Sequence, residues 1–105
     1  MTRPGAFVVI AGFEVPSHNL DAFMEAALDD ARHALADEPG CRQFDVAVEE
    51  DVVSEGSAAV VFYEVYDDRA AFEAHLATAH LARFRDALAL VAVERPPRFL
   101  VRRHP

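Results

Sequence analysis

The chain has 105 residues, with 10 basic and 18 acidic side chains and a formal net charge of −8. This length fits one domain, residues 1–105. The negative charge argues against nucleic-acid backbones and anionic membrane surfaces as partners. The single cysteine, Cys41, excludes an intrachain disulfide and a C-x-x-C metal or redox site, and it fits a cytoplasmic setting.

Ala, Val, Ile, Leu, Met, Phe, Cys and Gly make up 57 of the 105 residues, about 54%, which exceeds the ~45–50% usual for soluble domains. A domain of this size buries only about two-thirds of its surface. The excess therefore predicts an internal ligand cavity or a large self-association surface. The apolar run from Ala6 to Phe13 is too short to span a membrane and is interpreted as a strand.

The first half of the chain predicts a strand, a helix and a second strand. Phe7 to Val15 is rich in β-forming residues. Oxygens within residues 17–19 are expected to cap an amphipathic helix from Leu20 to Leu35, whose apolar residues recur at helical spacing. Glu38-Pro39-Gly40 ends this helix. Cys41 to Glu49 then alternates between apolar and polar residues, as a half-exposed strand does.

The second half predicts a polar turn, a dense apolar strand, two successive helices and a last strand. These elements span residues 50–57, 58–66, 70–77, 79–90 and 98–102. Asp67-Asp68 and Thr78 are suited to cap the two helices. Pro96-Pro97 breaks the chain before the last strand.

The order β-α-β-β-α-β predicts a ferredoxin-like α+β sandwich with an antiparallel sheet and helices on one face. In this topology the first and third strands are central, and both carry apolar residues on both faces. Because helices cover only one face, the other face needs another partner. We therefore expect a homodimer that packs sheet to sheet.

Three blocks of sequence at their observed separations resemble a known family. They are Glu38-Pro39-Gly40-Cys41 followed by Phe44-Asp45-Val46, then Phe62-Tyr63-Glu64-Val65-Tyr66, and then Ala71 to His80 with Phe84. This set resembles the antibiotic biosynthesis monooxygenase (ABM) superfamily of dimeric α/β barrels. The resemblance implies a monooxygenase that oxidises a quinol or polycyclic phenol with O₂ and without a cofactor. Haem-degrading members are expected to use a Trp, which this chain lacks.

Chemistry of this kind needs an apolar pocket, a base that titrates near neutrality and donors for an oxyanion. His75 is the first candidate base, because it follows Phe72 by three residues on the apolar face of its helix. His80 is the second candidate, one turn before Phe84. The alternative for both histidines is a purely structural role in helix packing.

Glu64 lies in an apolar strand, where a carboxylate must be paired, hydrogen-bonded or neutral. It is expected to serve as a base or to orient a histidine, unless it pairs with an arginine. Tyr63 and Tyr66 point to opposite faces of the strand. One of them is expected to bind substrate together with Phe72 and Phe84, and the other to pack in the dimer.

No metal site is expected, because no histidine pair shows H-x-H spacing, and His75 and His80 are five residues apart and off register for a shared helical site. Cys41 is expected to be a packed residue rather than a nucleophile. Two other functions stay open: an isomerase of a small carbonyl compound, and a non-catalytic dimer that binds a small molecule.

Overall fold

The structure, a computed structural model, describes residues 5–49 and 56–105. Its strands are β1 (Phe7–Pro16), β2 (Cys41–Val48), β3 (Ser57–Tyr66), β4 (Val93–Glu94) and β5 (Arg98–Val101), and its α-helices are α1 (Leu20–Asp37), α2 (Arg69–Leu76) and α3 (Ala79–Asp86). Short 3-10 turns, Ser17–Asn19 and Ala87–Leu90, precede α1 and follow α3. This arrangement confirms the predicted ferredoxin-like α+β fold.

All strands pair antiparallel in one sheet of order β2-β3-β1, and both β4 and β5 pair with the remaining edge of β1. Along the central pair, Phe7 lies opposite Tyr66 and Pro16 lies opposite Ser57. The first and third strands are thus central, as the sequence predicts. Because side chains alternate along a strand, each of these strands contributes one row to each face of the sheet.

The main core lies between one face of the sheet and the helices. Its centre is an aromatic cluster whose ring centroids are 5.0 to 6.3 Å apart. The cluster comprises Phe13, Phe23, Phe62 and Phe84. Burying each such ring contributes roughly 1.5–3 kcal/mol, so this cluster fixes α1 and α3 against the sheet.

The opposite face of the sheet, called the open face below, carries a smaller apolar cluster of Ala6, Val8, Ile10, Tyr63 and Val65. The described helices contribute to the main core and none of them to this cluster.

Several details differ from the sequence-based expectation. Asn19 does not cap α1; its side-chain Nδ2 instead donates to the carbonyl of Leu90 at 3.1 Å. Leu35 is 49% exposed, because Ala34 occupies the buried position at that turn. The helix expected over 79–90 ends at Asp86 and continues as a 3-10 turn.

The two-residue strand β4 was not predicted, and the turn expected over 50–57 falls mostly on residues 50–55, outside the described residues. None of the described helices combines the length and hydrophobicity that crossing a bilayer requires.

Candidate active site

A cleft of about 220 Å³ opens between the helix-covered face of the sheet and the helices α2 and α3. Most of its wall is apolar. Five ionisable side chains of the described residues also reach the wall: Asp30, Glu64, His75, Arg85 and Glu94. An apolar cleft with a few convergent polar groups is the usual form of a small-molecule site.

Glu38 organises the polar end of this region. It ends α1 with an extended backbone (φ −102°, ψ 109°) while its amide still donates to the carbonyl of Ala34. Pro39 follows, and a proline disfavours helical geometry in the residue before it. The Glu38 side chain accepts two hydrogen bonds on one oxygen, Oε2: from His75 Nδ1 at 2.7 Å and from His80 Nε2 at 2.5 Å.

Gly40 lets the start of α2 approach this turn closely. A Cβ at position 40 would lie 2.5 Å from the Cβ of Ala71, far inside van der Waals contact. The carbonyl of Gly40 also accepts a hydrogen bond from the amide of Asp67 at 2.9 Å. The Glu-Pro-Gly segment therefore does more than end α1: it fixes α2, and with it His75, against Glu38.

The chain breaks between α2 and α3 at Thr78. The Thr78 hydroxyl donates to the carbonyl of His75 at 2.8 Å and accepts from the amide of Leu81 at 3.2 Å. This double role ends one helix and caps the next. As a result, the rings of His75 and His80 lie close together, with centroids 5.5 Å apart and their planes tilted by 47°. The helical register argument against a shared site does not hold across this break.

Asp30 lies on the buried side of α1 and is 1% exposed. Its Oδ1 is 3.9 Å from His75 Nε2 and has no hydrogen-bond partner. Loss of water raises the pKa of Asp30 to about 6, although the nearby His75 and His80 act in the opposite direction. This carboxyl is thus partly protonated at mildly acidic pH.

Glu64 is 5% exposed on the sheet side of the cleft and accepts a hydrogen bond from the Tyr66 hydroxyl at 2.6 Å. Burial raises the pKa of Glu64 to about 7, against the effect of that hydrogen bond, which favours the charged form. The pKa of Tyr66 is also raised, first by burial and then by Glu64, so its hydroxyl remains a donor. Within the described residues no arginine pairs with Glu64.

The structure brings most of the predicted site residues together. Glu64, Phe72, His75 and Phe84 line the cleft. Tyr66 lies behind Glu64, with its ring centroid 5.7 Å from that of His75. His80 does not line the cleft; its Nε2 donates to Glu38, the same carboxylate that accepts from the cleft residue His75. Tyr63 lies in the open-face cluster, away from the cleft.

Cys41 is buried, and burial raises the pKa of its thiol to about 12. A neutral, buried thiol is a poor nucleophile, which agrees with its expected role as a packed residue.

Two residues of this cluster, Asp30 and Glu38, were not predicted from the sequence. The spacing of both residues along the sequence nevertheless points to them. Asp30 lies three residues after Ala27 and four before Ala34, and Glu38 lies four residues after Ala34. A carboxylate at these positions interrupts the apolar stripe of α1, and such a residue must find a partner when it is buried.

Comparison with known proteins places this chain in a family. The family profile described as "Antibiotic biosynthesis monooxygenase" matches residues 6–87. The chain therefore belongs to the antibiotic biosynthesis monooxygenase family. A comparison with curated proteins gives no significant match.

Solved structures agree with this assignment. One is a Nitrosomonas europaea protein provisionally assigned as an antibiotic biosynthesis monooxygenase; it is 27% identical, with a TM-score of 0.78 over 99% of this chain and 94% of that one. A Caulobacter crescentus protein of the same provisional assignment is 24% identical, with a TM-score of 0.79 over 93% of this chain and 90% of that one. A Pseudomonas aeruginosa protein is 22% identical, with a TM-score of 0.81 over 97% of each chain. The last two likenesses concern the fold alone.

Proposed function

We propose that this protein is a cofactor-independent monooxygenase that binds a quinol-type phenol in the cleft and oxidises it with O₂. The observation that carries the proposal is the pair of His75 and Glu38, because it presents an oriented imidazole on the wall of an apolar cleft. Family membership supports a monooxygenase at a coarser level.

His75 is the base in this proposal. Its Nδ1 donates to Glu38, which leaves Nε2 as the basic nitrogen when the ring is neutral. Nε2 is also the nitrogen that lies toward Asp30, and Asp30 lines the cleft. A carboxylate that holds one imidazole nitrogen fixes the tautomer and stabilises the imidazolium that forms after proton transfer.

The reaction balances without a bound redox group. His75 removes a proton from a phenolic hydroxyl or from an activated ring carbon, and the substrate anion passes one electron to O₂. The two radicals combine into a peroxide anion, which takes the proton back from His75. The resulting hydroperoxide loses water and leaves a new carbonyl. One oxygen atom of O₂ enters the quinone product, and the other leaves in water.

Glu64 and Tyr66 complete the proposed site. With a pKa of about 7, Glu64 is partly protonated at neutrality and can donate a hydrogen bond to a developing oxyanion. Tyr66 holds this carboxyl in place through its hydroxyl. In a water-poor cleft such donors act more strongly than they would in bulk solvent.

The size of the cleft favours a compact substrate. A cavity of about 150 Å³ accommodates benzene in a well-studied case, and the present cleft has about 220 Å³. One substituted ring fits this space better than three fused rings do. We therefore expect monocyclic quinols to be better substrates than anthrone-sized compounds.

Oxygen uptake with a panel of hydroquinones and anthrones tests the function. Turnover that falls at least tenfold in His75→Ala and less in His80→Ala is the expected result, because only His75 lines the cleft. No oxygen uptake by the folded protein with any compound would remove the proposal. An unchanged rate in His75→Ala would remove the base role of His75. Thermal stabilisation by the same compounds without turnover would instead favour a binding protein.

We also propose that the active unit is a homodimer formed through the open face. In support, Ile10 and Tyr63 on that face are only partly buried, and Leu100 of β5 is 37% exposed, whereas the neighbouring Val8 and Val65 are already buried within the chain. A contiguous apolar sheet face that no helix covers is a typical self-association surface.

A further inference from the structure

We propose that Asp30, His75 and His80 bind a divalent ion of the zinc class, and that the metal-bound form cannot carry out the oxidation proposed above. The first statement stands on geometry alone, and the second rests on the proposed function. One carboxylate oxygen of Asp30 and one ring nitrogen of each histidine lie within 4.8 Å of one another, and all three side chains are buried.

The cluster has unmet bonding capacity. Asp30 Oδ1 and Glu38 Oε1 are both buried without a hydrogen-bond partner. With neutral imidazoles, two ionised carboxylates here would leave a charge of −2 in the interior. The described ion pairs of arginine lie elsewhere: Arg42 with Asp67, Arg83 with Asp29, and Arg95 with Glu14. A divalent cation would supply both the missing charge and the missing partner for Asp30.

The donor set selects the class of ion. Two imidazole nitrogens and one carboxylate oxygen are usual ligands of zinc, whereas magnesium and calcium prefer oxygen alone. Three protein ligands beside an open cleft would also leave a fourth position for water, as in many zinc sites.

Glu38 supports this set from outside. It holds Nδ1 of His75, so that Nε2 lies toward Asp30. A carboxylate that accepts from the second nitrogen of a ligating histidine is a recurrent feature of metal sites.

Metal binding requires the three ligand atoms to move closer together. His75 Nε2 and Asp30 Oδ1 are 3.9 Å apart, and the ligand atoms of all three residues lie within 4.8 Å of one another. Two ligands at about 2.0–2.1 Å from a tetrahedral zinc ion lie about 3.4 Å from each other. Side-chain rotations would have to bring each pair to that spacing. The bound ion would then occupy the lone pair of His75 Nε2, which is the pair that the proposed oxidation needs as its base.

The binding test uses the metal-stripped full-length protein, titrated with Zn²⁺ in a calorimeter and with Co²⁺ by visible absorption. We expect one ion per chain and cobalt bands typical of tetrahedral coordination. Asp30→Asn and His75→Gln should weaken binding at least tenfold, and Glu38→Gln should weaken it about 10–100-fold. His18→Gln, at an exposed histidine, should bind as the unaltered protein does.

Circular dichroism before titration establishes that each variant is folded, and variants that fail this control are replaced by His80→Gln. The metal site is refuted if the unaltered protein shows no saturable binding. It is equally refuted if Asp30→Asn binds with unchanged affinity, or if His18→Gln abolishes binding.

The inhibitory role has a separate readout. Stoichiometric Zn²⁺ should abolish oxygen uptake, and a chelator should restore it. Full activity with a saturated site would overturn this second statement while the site itself stands. Absence of oxygen uptake with every substrate would remove the proposed function and the inhibitory role together, and the binding measurements would still decide whether the metal site exists.

Discussion

Replacing Glu64 by Gln tests the electrostatics of the buried site directly. Burial raises the pKa of this carboxyl from 4.5 to about 7. A shift of one pKa unit corresponds to about 1.4 kcal/mol. Relative to the unfolded chain, the folded protein therefore favours the neutral over the charged carboxyl by about 3 kcal/mol. Gln has the same shape, is neutral at every pH, and keeps an oxygen that can accept from Tyr66.

The sign of the pH effect follows from proton binding. Below pH 4.5 the carboxyl of Glu64 is neutral in both states, and the full stability is present. Between pH 4.5 and about 7 the unfolded chain releases the proton while the folded protein keeps it. The free energy of unfolding therefore falls as the pH rises through this window, and the loss levels off above it.

Urea denaturation from about pH 4.5 to about pH 8 measures this effect, at one fixed protein concentration so that association does not contribute. The stability of Glu64→Gln relative to the unaltered protein should rise by about 3 kcal/mol across this range. Glu25→Gln is the matched control, because Glu25 lies exposed on α1. A difference between Glu64→Gln and the unaltered protein that stays constant with pH, or that falls, would refute the reasoning.

Three further predictions concern two residues that position the site and the proposed dimer interface. Gly40→Ala should lower the free energy of unfolding by about 1–3 kcal/mol, because its Cβ would lie 2.5 Å from that of Ala71; a melting temperature equal to that of the unaltered protein would contradict this. Glu38→Gln should reduce kcat of the proposed oxidation about tenfold or more, with little change in KM. The reason is that Glu38 contacts His75 and does not line the cleft. An effect on KM alone would argue against a positioning role. Leu100→Glu on the open face should yield monomers in analytical ultracentrifugation, whereas Leu35→Glu, at a still more exposed leucine on α1, should not. Identical masses for the two variants would count against the proposed interface.

The order of elements was predictable because each long element repeats one pattern over many residues. The helical spacing of α1 indicates a helix, and the Val, Phe and Tyr content of the apolar run of β3 indicates a strand. By contrast, β4 has two residues and carries no periodic signal. The choice between Tyr63 and Tyr66 was also undecidable, because both faces of β3 are apolar and its phase relative to the helices depends on packing. The structure shows Tyr66 on the helix side.

Only some of the site residues could be predicted from the sequence, for a different reason. His75 and Glu64 stand out because each is a polar residue in apolar surroundings. Glu38 also follows the apolar stripe of α1, but its place in Glu38-Pro39-Gly40 is already explained by a helix stop. Its second role depends on where two other helices place their histidines, which is a long-range property that local patterns do not contain.

A single carboxylate oxygen therefore connects three helices that are separate in sequence. Glu38 ends α1, His75 lies in α2 and His80 lies in the first turn of α3. Because Thr78 breaks the chain between the two histidines, their rings converge on Glu38 rather than following one helical face. The same convergence leaves Asp30 facing His75 Nε2 with an unpartnered oxygen. In the two proposals above, a metal ion held between them would occupy the lone pair of His75 Nε2, so that His75 would act as a base only in the metal-free protein.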